Sequence, residues 1–328
     1  MLSRRLALQL GAIGAAAVLA TLPSRSHAAG VDTVTLDWAY YNPVSLVLKQ
    51  EGWLEEELKK DGIEVQWVQS LGSNKALEFL NAGSLDFGST AGAAALLAKV
   101  NGNPIQSVWV YSKPEWTALV TRPGTGIAKV EDLKGKRVAV TKGTDPYIFL
   151  LRALGQHGLA AGDVDLVLLQ HDQGRAALER GDVDAWAGLD PMMADVELSK
   201  GYPLFFRNAD ANSYGVLNVR EAFAAENPEL VKRVLAVYER GRQWALTNPE
   251  ALAKLLAQTA KLPEPVAVKQ LERTQFVSPQ PGDAERQTIL ASGEALQSAG
   301  IIKPDVDLVA TVDALLQPSF ASTIASSQ

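Results

Sequence analysis

The sequence predicts an α/β protein: two βα lobes joined by a two-crossing hinge. Three observations predict it: a strand–turn–helix–strand order that occurs twice, a nearly constant spacing between the copies, and turns of small polar residues at the helix starts. The first copy runs from the strand Val34–Trp38 through Tyr40-Tyr41-Asn42-Pro43 into an apolar helix from Val44. The second runs from Arg137–Val140 through Lys142-Gly143-Thr144-Asp145-Pro146 into another. Asn42 and Asp145 are good N-caps, because each has a short polar side chain and a proline next to it. Past Gly52 and Gly155 come second strands at 63–69 and 164–170. Leu80-Asn81-Ala82-Gly83-Ser84-Leu85-Asp86 is then echoed by Leu178-Glu179-Arg180-Gly181-Asp182-Val183-Asp184. Asn42 and Asp145 are 103 positions apart, Gln69 and Gln170 are 101, and Asp86 and Asp184 are 98.

Residues 1–28 read as an export signal, with a basic start (Arg4, Arg5), an apolar run from Leu6 to Ala20 and a small-x-Ala site at Ser26-His27-Ala28. The apolar run is short for a membrane span, and Ser3-Arg4-Arg5-Leu6 faintly resembles a twin-arginine signal. These features predict a periplasmic protein, exported with a cleavable signal. The chain has no cysteine, which rules out disulfides and Cys-ligated metal. Without the three arginines of the leader, 28 basic against 37 acidic side chains leave a formal charge of −9. No basic run compensates, so nucleic acid is not expected as a partner.

The first lobe is expected to span 29–118 plus 214–328, and the second 119–213. Within the first, Val108–Tyr111 and Trp116–Val120 read as strands, and Thr121 to Gly126 as the connector out of the lobe. Tyr214 to Val219 reads as a strand returning to it. From Asn227 the pattern is helical, with Asn-Pro-Glu starts at Asn227 and Asn248 and apolar positions at helical spacing. That segment is read as packing on the first lobe, with Tyr238 and Trp244 as core residues.

The sequence is poor in catalytic apparatus. His157 and His171 are the only histidines after the leader, and they lack the spacing of a zinc site. Gly88-Ser89-Thr90-Ala91-Gly92 has threonine where a nucleophile elbow needs serine, and no phosphate-loop or dinucleotide motif occurs. Neither a metal nor a cofactor is expected.

Helix starts are abundant instead: Asn42, Gly72-Ser73, Ser89-Thr90, Thr144-Asp145 and Asp190-Pro191. In parallel α/β lobes such turns lie at the carboxyl ends of the strands, where ligands bind. Free amides and the helix dipole there attract an anion. Ser89 and Thr90 are expected to cap the alanine-rich helix that follows them, so that its first-turn amides face the ligand. Tyr40, Tyr41, Trp116, Trp186 and Tyr214 lie close to these turns and could wall the non-ionic part of a ligand; each alone fits packing better than contact, and the case rests on their place beside the caps.

At this point the sequence resembles a known family, the periplasmic solute-binding proteins of ABC importers in the nitrate/sulfonate/taurine group, those for aliphatic sulfonates in particular. The resemblance is clearest in residues 81–90, 133–140, Lys142-Gly143-Thr144, 150–154 and Val183-Asp184-Ala185-Trp186-Ala187-Gly188-Leu189-Asp190-Pro191. It implies a type II, Venus flytrap fold that closes on a small organic anion, most readily an alkanesulfonate, and delivers it to a membrane permease with its ATPase. Taurine, sulfate esters and nitrate are alternative ligands. A pyrimidine- or menaquinone-precursor enzyme on the same fold, and a ligand-loaded partner for a sensor, are alternatives of a different class. A monomer is expected. One departure stands out: Asp145-Pro146 follows the Lys-Gly-Thr turn where small neutral polar residues are usual. Either the anion rests on the first lobe's turns, or the ligand has a cationic or hydroxylated tail that meets Asp145 or Asp190. Lys142 either offsets Asp145 or is solvated.

Overall fold

The computed structural model describes residues 30–325, so the leader read at 1–28 lies outside the described residues. The chain begins with β1 (Thr33–Trp38), α1 (Pro43–Glu51), α2 (Trp53–Lys59), β2 (Glu64–Gln69), α3 (Ser73–Asn81), β3 (Phe87–Ala91), α4 (Gly92–Val100) and β4 (Ile105–Pro114). There follow β5 (Leu119–Thr121), β6 (Arg137–Val140), α5 (Asp145–Gln156), β7 (Asp165–Leu168), α6 (His171–Arg180), β8 (Ala185–Ala187), α7 (Met192–Lys200) and β9 (Leu204–Phe206). The last part comprises β10 (Gly215–Arg220), α8 (Glu221–Glu226), α9 (Pro228–Thr247), α10 (Pro249–Ala260), α11 (Glu264–Glu272), β11 (Thr274–Gln275), α12 (Asp283–Ser298), α13 (Leu308–Leu315) and α14 (Ser319–Ala325).

Among the described residues the strands form two sheets, ordered β11-β4-β10-β3-β1-β2 and β7-β6-β8-β5-β9. The internal repeat is visible in both. The first strand of each copy lies between the second and third, all parallel, as β2-β1-β3 and β7-β6-β8. The echoed aspartates explain why. Asp86 donates its N–H to the carbonyl of Thr35, and its Oδ2 accepts the N–H of Thr35 at 2.9 Å. Asp184 makes the same two bonds with Arg137, again with 2.9 Å to Oδ2. A backbone and a side-chain bond from one residue thus pin the third strand of each copy to the first. Just before each aspartate, Gly83 and Gly181 turn the chain out of its helix at φ 72° and 84°, a conformation that costs an L side chain strain. Alternation does the rest. In β1, Val34 and Leu36 are fully buried, each burial contributing about 1.5–3 kcal/mol.

Each sheet is completed by an antiparallel strand arriving from the other side, β10 between β3 and β4, and β5 between β8 and β9. The crossings are therefore residues 115–118 and 207–214. This corrects the connector expected at Thr121–Gly126. The chain has already left the first sheet by Leu119, because β5 takes its hydrogen bonds from β8 and β9. The strand expected from Trp116 begins only at Leu119, and Trp116 itself is part of a crossing.

The carboxyl-terminal helices cover the first sheet, with α9 on α1, α14 on α9, and α12 and α13 on α4. They also reach the other side, since α12 packs on α5 and α11 on α7. Tyr238 is fully buried, and Trp244 is partly buried against Val47 and Leu252.

Candidate functional site

Both crossings are tied to one carboxylate. Asp145 is the first residue of α5, and its Oδ2 accepts the Trp116 indole N–H at 2.8 Å and the Ser213 N–H at 2.9 Å. Its Oδ1 accepts the Ser213 hydroxyl at 2.7 Å. Burial raises the Asp145 carboxyl above the usual aspartate range, with the bonds from Trp116 and Ser213 pulling the other way. The sequence reading that Asp145 caps its own helix is therefore corrected. Thr144 is the N-cap, its hydroxyl donates to the Thr141 carbonyl at 2.6 Å, and Asp145 is turned toward the stronger donors of the hinge.

The start of α4 also differs from expectation. Ser89 and Thr90 lie inside β3, and Ala91 is the N-cap. The returning β10 pairs with β3 as far as Ala91 and so extends the strand over both residues. The Ser89 hydroxyl donates to Asp37 Oδ1 at 2.8 Å and accepts Asn42 Nδ2 at 2.8 Å, while Thr90 Oγ1 accepts Asn218 Nδ2 at 2.7 Å. The first amides of α4 do not face a ligand either. Gly92 N–H goes to the Tyr214 carbonyl and Ala93 N–H to the Ser213 hydroxyl. Asn42 does cap α1, with its Oδ1 3.4 Å from the Ser45 nitrogen. Burial pushes the Asp37 carboxyl beneath it up to about 7, against the bonds from Ser89.

Three other helix starts meet between the lobes. A small cavity of about 10 Å³, room for about one water, is lined by Ser73 at the start of α3, Thr144 and Asp145 at α5, and His171 at α6. Tyr41, Trp116, Pro146 and Leu189 close it. Tyr41 donates its hydroxyl to the Ser89 carbonyl at 3.1 Å and meets Trp116 edge-on at 6.1 Å between ring centres. The Ser73 hydroxyl accepts the Ala91 N–H at 3.0 Å. A further pocket of about 170 Å³ shares Tyr41, His171 and Leu189 with the cavity and extends past Tyr40 and Ser70 to Asp190. Gly72, the N-cap of α3, is pressed against the opposite lobe: a Cβ there would lie 2.9 Å from His171 Nε2.

At the pocket's far side Asp190 is buried in front of the cis peptide to Pro191. Its Oδ1 accepts the Ala194 N–H at 2.9 Å, and both oxygens stand 3.4 Å from Arg273 Nη1. Arg273 comes from the turn between α11 and β11, and its other nitrogen meets Glu197 on α7. An ion-pair group thus joins the lobes across the cleft. Burial lifts Asp190 to about 7, with the Arg273 guanidinium acting in the opposite sense.

The remaining candidates lie elsewhere. Trp186 is a core residue, fully buried in β8 beneath Gly174, which corrects its reading as a cleft wall. Tyr214 is half-buried at the hinge under Lys113, whose Nζ is 4.7 Å from the ring centre. Lys142 is exposed, so of its two readings solvation fits. The sequence reading missed His171 and Arg273. The repeat held a signal for the first, since the spacing that equates Gln69 with Gln170 also sets His171 against Ser70 of the pocket. For Arg273 there was none: its partner lies 83 residues away in the other lobe.

A family described as NMT1/THI5 like matches residues 45–252. An aliphatic sulfonates-binding protein of Escherichia coli (strain K12) is 31% identical over 244 residues, 74% of this chain and 76% of that one. The alkanesulfonate-binding protein SsuA from Xanthomonas axonopodis pv. citri, solved bound to MOPS, superposes with a TM-score of 0.79 at 26% identity, over 87% of this chain and 98% of that one. The periplasmic aliphatic sulphonate binding protein SsuA from Escherichia coli gives 0.75 at 27%, over 88% and 94%. The fold is accordingly that of the periplasmic binding proteins, and the chain belongs to the NMT1/THI5-like family.

Proposed function

We propose that the protein is the periplasmic solute-binding component of an ABC importer and captures a small organic anion, an alkanesulfonate, between its lobes. One observation carries the reading: the starts of α3, α5 and α6, drawn from both lobes, meet at a single cavity with no lysine or arginine on its wall and with its one carboxyl, Asp145, turned to Trp116 and Ser213. The cavity holds about one water, so the lobes must part to seat the ligand. Helix dipoles and first-turn amides favour an anion without a countercharge. That suits a ligand whose charge does not vary near neutral pH. The Ser73 hydroxyl and the backbone amides at Ser73 and Thr144 would hold the head group, and Tyr41 and Trp116 would wall the chain behind it. Relatives named for binding sulfonates support the ligand class. They also support a binding protein rather than an enzyme, a periplasmic location and delivery to a permease. The lobes would divide at 118/119 and 213/214, where the two sheets exchange strands, and would part to admit the ligand. Isothermal titration with an alkanesulfonate, taurine, a sulfate ester and nitrate tests this. Saturable heat with the alkanesulfonate is expected, and no heat with any of the four overturns it.

A further inference from the structure

His171 is buried, 2% exposed, and lines both the cavity and the pocket beside it. Its hydrogen bonds reveal the tautomer. Nδ1 lies 3.1 Å from Thr141 Oγ1. That hydroxyl has one proton, which it donates to the Leu169 carbonyl at 2.8 Å, an oxygen that can only accept. Both contacts are made together only when the imidazole donates from Nδ1, which leaves Nε2 with its lone pair. Burial holds the ring's pKa down to about 3, so it is neutral at physiological pH. Asp145 and Tyr41 on the cavity wall and Tyr40, Asp172 and Asp190 on the adjoining pocket are the titratable groups beside it, and all are acids. Nε2 has no partner among the described residues, and neither has Asn74 Oδ1, which approaches the same side of Gly72. A helix start welcomes an anion, but this atom can accept a proton and give none. A bare sulfonate set against it would put two acceptors face to face.

Resting on the sulfonate reading above, we propose that the ligand carries a hydrogen-bond donor beside its anionic head, a hydroxyl or an amine, and that His171 Nε2 receives it. His171 is then the residue that separates hydroxy- and aminoalkanesulfonates from plain alkanesulfonates. Donor-bearing ligands satisfy the buried nitrogen, and ligands without a donor leave it unpaired, which is the stronger of the two ways a polar site discriminates.

Titration of the mature protein in Tris-chloride at pH 7.5 with 2-hydroxyethanesulfonate, 2-aminoethanesulfonate and ethanesulfonate tests this. At least one donor-bearing ligand should bind about tenfold or more tighter than ethanesulfonate, a difference of about 1.4 kcal/mol. In His171→Phe the ratio between the donor-bearing ligand and ethanesulfonate should fall toward one. His171→Gln should retain part of it, because the carboxamide still accepts. Nitrogen-15 spectra of the unliganded wild type, assigned with His171→Gln, should show the Nδ1–H tautomer, and this readout needs no folded His171→Phe. Equal affinity for all three ligands overturns the inference and leaves the sulfonate reading standing, with the Asn74 carboxamide, adjacent at Gly72, as the partner of Nε2. An Nε2–H tautomer overturns it likewise. No heat with any of the three overturns both.

Discussion

The two lobes repeat one construction and use its polar turns in opposite ways. In the first, the polar groups at the helix starts bond within the lobe: Asn42 to Ser45 and Ser89, Ser73 to Ala91, and Ser89 to Asp37. In the second, the corresponding turns carry carboxylates that reach outside it. Asp145 holds both crossings, and Asp190 meets Arg273 from beyond the cleft. Asn42 and Asp145 occupy the same place in the repeat, yet one is a cap and the other a hinge tether. A short acceptor beside a helix start serves either purpose, and the donors that the rest of the fold brings within reach decide which.

The sharpest way to break this contrast is to remove both members. Asp145→Ala strands an indole N–H, a backbone N–H and a hydroxyl in buried surroundings and should cost about 3 kcal/mol or more in urea denaturation. Asn42→Ala should cost about 1 kcal/mol, the usual value of a cap. Equal losses would mean that Asp145 is only another cap. Arg273→Met probes the other outward carboxylate. Breaking a buried pair costs about 3–5 kcal/mol where the remaining charge stays buried, but here the lobes can part and give Asp190 water. The loss should therefore appear as a larger radius of gyration in solution scattering, with smaller loss of stability than in Asp145→Ala. An unchanged radius would remove Arg273 from the closure.

The smallest effect concerns the carboxylate the first lobe keeps to itself. Asp37 titrates near 7 in the fold against 3.8 when free, so the folded protein binds the proton more tightly than the unfolded chain. Its contribution to stability is full below about pH 4 and fades as pH rises through 7, by at most about 1.4 kcal/mol per pH unit. Asp37→Asn should flatten that part of the pH–stability curve measured between pH 5 and 8. A slope that survives the substitution assigns it to other groups, Asp190 first among them.

Much of the architecture could be read from local pattern. The echoed Gly-x-x-Asp segments each closed a strand pair, and the Asn-Pro and Thr-Asp-Pro turns each opened a helix. Of the candidate site, Tyr41, Ser73, Trp116, Thr144 and Asp145 line the cavity and Asp190 the pocket beside it. Ser89, Thr90 and Trp186 were drawn into the lobes' interiors instead.

Elements whose partners lie within a few residues, such as strands, helix starts and the aspartates that repeat with them, were written in the chain itself, because short-range geometry and burial suffice to form them. Which polar group faces the cleft was settled only in three dimensions. Strand β10, arriving 124 residues after β3 closes, covers the start of α4 and takes its amides. The hinge claims Asp145, and Thr141 meets Nδ1 of His171 and so fixes which ring nitrogen is left without a partner. Hydrogen bonds are awarded by proximity in space, and proximity between segments a hundred residues apart is a property of the packed lobes rather than of either segment.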